Sequence, residues 1–307
     1  MSSAATARSL TIVGLGESLF DCFPDQAIMG GAPLNLAVHA DQILRPLGGR
    51  GVVATSVGRD DLGQQILDEL HDRNMEVSHV QVDGVHPTGT VRVTVDDNGN
   101  AAYVFAPNVA WDHLTLTPGW QALASTCDAV CFGTLAQRSP ESRLAIEKYL
   151  EHAPQALRLF DVNLRLDFYS SEIIERSLQL ASAVKLNDGE LPEVAKALGL
   201  QNLEGDEDTL AQQIIERFNL DWLALTRGPL GTVIYAKGAM YVGETFRFPP
   251  ADRADTVGAG DACGAGLVVG FLLGWPMQHT VNLANRLGAY LASQPGATPT
   301  LPRELLP

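Results

Sequence analysis

The chain has 307 residues, 46% of them apolar, and a formal net charge of -15 at pH 7. That length supports one large α/β core, and so acidic a surface argues against nucleic acid or an anionic membrane as a partner. Four cysteines without a CxxC pair, and seven histidines without an HxxxH or HExxH spacing, speak against structural zinc and read as a cytoplasmic chain with reduced thiols.

The opening "MSSAATARSL" has one arginine and no long apolar run, so no signal peptide is expected. "SLTIVGLG" (residues 9–16) is an apolar run closed by glycines and predicts a buried strand, and "ESLFDCF" predicts a second extended segment. "APLNLAVHADQIL" (32–44) has helical spacing, with Pro33 in the first turn, where a helix accepts it. "GVVATSVG" predicts a strand, and "DDLGQQILDELHDRN" an amphipathic helix opened by aspartates. In "TGTVRVTVDDNGNAAYVF" (88–105), Asp-Asn-Gly between two alternating runs predicts a hairpin. A hairpin cannot bury itself alone. Segments of about 18–30 and 86–110 are therefore expected to form a small sheet over a ligand, inserted in a single α/β domain of residues 1–307. Its outer face is expected to carry alternate residues such as Val91, Val93 and Val95 or their neighbours, too apolar to stay bare, which predicts a homodimer through this sheet.

From residue 126 strands and helices alternate. "CDAVCF", "LRLFDVN", "AVKLN" and "DWLALT" read as strands, and "SPESRLAIEKYLEHA", "SEIIERSLQLA", "DGELPEVAKALG" and "DTLAQQIIERF" as helices. This predicts a mostly parallel central sheet flanked by helices, with ligands at the carboxyl ends of its strands. "QNLEGDEDT" (201–209) reads as a surface loop, and the glycine-laced apolar stretch 262–275 as a core helix and not a membrane span.

Two glycine-rich segments bear on chemistry. "GLGESL" (14–19) is not one of them: Leu19 spoils the dinucleotide fingerprint, which argues against a nicotinamide-linked oxidoreductase, and no Walker A motif occurs. "DTVGAGDACGAG" (255–266) reads as a helix start whose small residues, Gly258, Ala259 and Gly260, expose amides to an anion. Asp261 then stands in the first turn, where the helix dipole is expected to hold it ionised and ready to accept a hydroxyl proton. Read alone, the segment serves equally as a capped helix whose glycines allow close packing. "MGGAPLNLAVHA" (29–40) adds Gly30 and Gly31 before a helix, with Asn35 one turn inside, and tips the reading toward a ligand.

Together these two segments resemble those of the ribokinase-like (PfkB) carbohydrate kinases, over essentially the whole chain. The resemblance implies ATP-dependent phosphorylation of a sugar hydroxyl with Mg²⁺, under a small β-sheet lid. It makes Asp261 the catalytic base and Gly258, Ala259 and Gly260 the anion hole. It gives Asp21, Gly30, Gly31 and Asn35 to the sugar, with Tyr103 and Phe105 of the lid covering the ring. "KLNDGE" resembles an NxxE motif, so Asn187 and Glu190 would hold magnesium through water. "TRGPLGT" resembles a nucleotide loop and supplies Thr226, Gly228 and Gly231, with Asn285 lining the same pocket. Arg227 departs from the apolar residue usual there and would reach a phosphate or a surface carboxylate. Asp255 resembles a ligand of a monovalent-cation site, potassium in particular.

The "GGAPLN" and "GESLFDCFP" stretches resemble fructokinases, and "DVNLR" (161–165) resembles a motif shared by fructokinases and 2-keto-3-deoxygluconate kinases. Arg165 would contact a neutral sugar, the moving phosphoryl group or a sugar-acid carboxylate. The reading is a fructokinase, with 2-keto-3-deoxygluconate kinase and ribokinase as alternatives. A sugar-binding protein that has lost catalysis is the alternative from another class.

Overall fold

A computed structural model describes residues 9–23, 26–95, 101–200 and 206–307. Its first strand, β1 (Thr11–Leu15), is almost wholly buried, as an apolar run in a parallel sheet must be. Two short strands, β2 (Leu19–Cys22) and β3 (Ala27–Gly30), precede helix α1 (Ala32–Leu44). α1 has the bounds that its spacing predicts. Gly31 before it takes φ 112°, and Pro33 sits in the first turn, where no amide partner is required. β4 (Arg50–Gly58) follows, then α2 (Asp61–Asp72), capped by the Asp60 side chain on the Gly63 amide. β5 (Val80–Asp83), β6 (Gly89–Val95) and β7 (Ala101–Phe105) close the first half.

In the second half, α3 (Pro118–Ala124), β8 (Ala129–Phe132), α4 (Pro140–Glu151), β9 (Leu157–Asp161), α5 (Ser171–Leu180) and β10 (Ala183–Asn187) alternate. α6 (Glu190–Ala197), α7 (Glu207–Phe218) and β11 (Trp222–Thr226) follow, then the hairpin β12 (Thr232–Ala236) and β13 (Ala239–Val242). Helices α8 (Ala259–Leu272) and α9 (Met277–Leu291) come last. The "QNLEGDEDT" stretch splits: 206 onward forms the capped start of α7, and 201–205 lie outside the described residues.

The main sheet runs β13-β12-β11-β10-β9-β8-β1-β4-β5. Every pair from β11 to β5 is parallel, and β12 and β13 add an antiparallel edge. Both faces are covered, as strand alternation dictates. Val13 and Leu15 face a core with Trp120, Phe132 and Phe160, while Ile12 faces the opposite core with Leu36, Leu159 and Val268. The expected α/β architecture is therefore the observed one.

The small sheet is ordered β3-β2-β6-β7, with β2 and β6 parallel and the outer pairs antiparallel. The predicted hairpin is present as the β6–β7 pair, although its Asp-Asn-Gly turn lies outside the described residues. The expected outer face is corrected at Val91, which is 2% exposed and pairs with Phe105 on the side turned to the body. The Val93 and Val95 side chains lie outside the described set. Exposed Val104 and Arg92, paired across the hairpin, occupy the outer side.

α8 is apolar all round and lies against both α1 and α9. Its glycines make the close approach possible. A Cβ on Gly266 would stand 2.9 Å from the Ala284 Cα, and one on Gly270 2.8 Å from the Thr280 hydroxyl. Among the described residues no helix is long and apolar enough to cross a membrane.

Candidate active site

A cleft of about 570 Å³ opens at the carboxyl ends of β1, β9, β10 and β11, beneath the small sheet. It lies where parallel sheets place ligands. Asp21, Gly31, Asn35, Tyr103, Phe105 and Arg165 line it, as do Asn187, Glu190, Thr226, Gly258, Gly260 and Asp261. Gly30 does not, but a Cβ there would stand 3.2 Å from Asp21 Oδ2, so its bareness leaves room for that carboxylate.

Asp261 sits in the first turn of α8. Its Oδ2 accepts a 2.8 Å hydrogen bond from Asn35 Nδ2, which joins the two glycine-rich segments across 226 residues of sequence. Asn35 Oδ1 is buried and has no protein partner among the described residues, so it remains an acceptor in the cleft. Burial first, and then the nearby Asp161, push the Asp261 carboxyl up to about 6, against Lys185, Asn35 and Arg165. The environment therefore raises this carboxyl, contrary to the expected depression by the helix dipole, and leaves it close to neutrality, where a base works best.

Gly258 takes φ 76° and a Cβ there would overlap the Ala297 carbonyl at 2.3 Å, so this turn accepts only glycine. Gly258 and Gly260 line the cleft, whereas the Ala259 amide donates to the Thr256 carbonyl at 3.3 Å. The two functions weighed for these glycines are thus divided along one helix. Gly258 and Gly260 face the cleft, and Gly266 and Gly270 admit α9.

Beneath Gly260 lies a buried ion pair that the motifs did not assign a function. Lys185 Nζ donates to both oxygens of Asp161 at 2.9 Å. Burial opposes the lysine charge, but Asp161, with Cys263 and Asp261, holds the ammonium above its ordinary range. A Cβ on Gly260 would stand 3.5 Å from Nζ, so the cation lies against the first turn of α8. The signal was a lone lysine inside the apolar run "AVKLN", since a central strand rarely keeps an unpaired charge. Glu17 is the second omission. It lines the cleft at 2% exposure, and Oε2 has no protein partner among the described residues. Burial, with Asp261, pushes it up to about 7, against Arg165 and two backbone amides.

Residues 163–166 form one wall. Asn163 and Leu166 take φ 42° and 48°, uncommon for residues with a side chain. Glu190 holds this wall, with Oε1 accepting from the Leu164 amide and Oε2 from the Asn187 amide, both at 2.9 Å. Asn187 Oδ1 accepts from the Glu190 amide in return, a reciprocal cap on α6. Arg165 is exposed, and among the described residues its hydrogen bond goes to the Leu164 carbonyl.

The remaining candidates lie to one side. Gly228 and Gly231 take φ 51° and 82°, and a Cβ on Gly231 would meet Asn285 Nδ2 at 2.7 Å. That Nδ2 donates to the Glu244 carbonyl, so Asn285 supports the adjoining loop. Neither glycine nor Asn285 lines the 570 Å³ cleft. Arg227 lies 3.8 Å from Glu207, a surface carboxylate. Asp255 accepts the Val257 and Gly296 amides and ties the turn before α8 to the turn after α9.

A paired base and bare amides at a helix start suit the transfer of an anionic group to a hydroxyl. The relatives of this chain carry that chemistry. Residues 16–304 match the model of the pfkB family carbohydrate kinases. A fructokinase of Salmonella typhimurium is 29% identical, with 94% of this chain and 95% of that protein covered. A fructokinase from Xylella fastidiosa with bound ATP superposes with a TM-score of 0.80 at 21% identity, covering 95% of both chains. One from Vibrio cholerae, with fructose, ADP and calcium ion bound, does so at 0.76 and 25% identity, covering 96% of both. With the family match spanning nearly all of its length, the chain belongs to the pfkB family of carbohydrate kinases and is a sugar phosphotransferase.

Proposed function

We propose that this kinase transfers the terminal phosphoryl group of ATP to the terminal hydroxyl of a neutral ketohexose, fructose first, with Asp261 as the base. The observation that carries this reading is Asp261 itself, buried in the first turn of α8, bonded to Asn35 and sharing its cleft with Asp21. Asp21 and Asn35 supply acceptors for sugar hydroxyls, Gly30 leaves room for the Asp21 carboxylate, the bare Gly31 lets the ring approach, and Tyr103 and Phe105 cover it from the small sheet, which acts as a lid. Gly258 and Gly260 would face the transferring phosphate, with Ala259 completing the turn. Thr226, Gly228, Gly231 and Asn285 would border the nucleotide.

Asn187 and Glu190 present oxygen donors that suit magnesium. Both Glu190 oxygens already accept an amide, so they fit an ion held through its water better than a directly ligated one. When bound, magnesium would offset phosphate charge. Asp255 would border a monovalent cation such as potassium, and a second copy of the chain would pair across the outer face of the small sheet.

One observation favours a second substrate class. Arg165 makes no direct ion pair among the described residues, although Glu17, Asp21 and Asp261 feel its charge, so its guanidinium can pair with a sugar acid such as 2-keto-3-deoxygluconate. A coupled ADP-release assay across fructose, 2-keto-3-deoxygluconate and ribose decides. The expected order puts fructose first in kcat/KM, and a much higher value for the sugar acid would transfer the reading to that class.

A further inference from the structure

Arg138 lies outside the cleft and is nearly buried, at 10% exposure. Its guanidinium is engaged along its edge and on its faces. Nε and Nη2 donate to the two oxygens of Asp112, each at 2.8 Å, and Nη2 also donates to the Ala106 carbonyl at 2.6 Å. The Trp111 ring lies 4.0 Å from Cζ and the Phe168 ring 5.0 Å.

These partners come from three places that the chemistry needs held together. Ala106 is where the chain leaves the small sheet after β7. Trp111 packs on Gly89, where the chain enters β6, so closely that a Cβ there would stand 2.2 Å from the indole nitrogen. Phe168 follows the 163–166 wall and is tied to it, its amide donating to the Arg165 carbonyl at 3.0 Å, and it meets the cleft residue Phe105 edge-on at 5.5 Å. One side chain therefore touches the exit of the small sheet, the residue packed on its entry, and the residue bonded to the substrate wall. A fork with two stacking faces is what this junction needs, and lysine supplies neither.

We propose that Arg138 is a positioning residue for the sugar: it locks the entry and exit of the small sheet to the Arg165 wall, so that both close on the substrate as one body. The proposal rests on the sugar site assigned above. It makes no contact with substrate and acts only through Ala106, Trp111 and Phe168.

The test compares wild type with Arg138→Lys, which keeps a cation beside Asp112 and so avoids an unpaired buried carboxylate. The KM for fructose should rise roughly tenfold or more, while the KM for ATP stays within about twofold. Hydrogen exchange of the intact protein should speed up together in 89–92, 103–106 and 163–169. Equal rises in both KM values, or faster exchange confined to 110–113, would overturn the proposal. Phe168→Leu removes the stack and leaves the ion pair intact, and it takes the same two measurements if the lysine variant does not fold. A wild type inactive on every sugar would sink the site assignment, and the exchange pattern would still decide the role of Arg138.

Discussion

Asp261 meets two demands that oppose each other. In its proposed role as the base it must be ionised, yet it is buried among other acids, which raises its pKa to about 6. The folded chain therefore holds this proton more tightly than the unfolded chain does, whose carboxyl titrates near 3.8. The sign follows: between those two values this group lowers stability as pH rises, and above about 6 the cost is constant. Activity runs the other way, since kcat/KM should fall as pH drops through about 6 and the proposed acceptor is lost. Asp261→Asn should cut kcat by roughly 10²–10⁴-fold with sugar binding by calorimetry little changed. The same variant should melt above wild type at about pH 8, with the gain vanishing near pH 4. A lower melting temperature at the higher pH would mean that the Asn35 bond outweighs the burial cost. Lys185→Met tests the neighbouring ion pair. It strands Asp161, and denaturant melts should show a loss of about 3–5 kcal/mol, largely recovered when Asp161→Leu is added. No recovery in the double variant would show that Lys185 stabilises something other than Asp161.

Along a single helix, glycine has two functions that substitution can separate. Gly266→Ala puts a methyl 2.9 Å from the backbone of α9, which has little freedom to yield. Its melt should show about 1–3 kcal/mol of destabilisation with kcat per folded molecule unchanged. Gly260→Ala meets only the flexible end of Lys185 at 3.5 Å. Its melting temperature should hold while kcat/KM falls roughly tenfold, because the methyl crowds the turn that faces phosphate. If both variants lose stability alike, the division fails. The same contrast shows what was legible in the sequence. α1 could be read to its ends because Gly31 and Pro33 mark its start by sterics alone. α9 could not, since Pro276 caps it without a side-chain bond and its first turn has no acid. β12 is buried almost throughout and so shows no alternation, and β13, at the sheet edge, alternates over only four residues. Period two sets Val91 on one face of its strand, but no period reveals which face meets the body. Asp261 and Asn35 were visible because helix starts have punctuation. Lys185 left only the trace of a lone charge in an apolar run, because its partner Asp161 comes from another strand, and Glu17 lies in an apolar context with no motif to mark it.

For the molecule as a whole, the small sheet leaves Val104 58% exposed and Tyr103 51% exposed. The homodimer proposed through this sheet would cover its outer face. Light scattering should then give twice the 32.9 kDa chain mass, and Val104→Glu should return the single mass. A wild-type monomer at micromolar concentration would refute it. The order of the elements has a further result for biosynthesis. α8, apolar apart from Asp261, covers one face of the sheet, yet the ribosome delivers it only after every strand of that sheet. Until it emerges, Ile12, Leu36 and Leu159 lack their cover, and the nascent chain offers chaperones a greasy face. The same helix start brings Asp261 and the bare glycines. A product cut short before it should therefore be sticky but chemically inert, unable to squander ATP before it can hold a sugar.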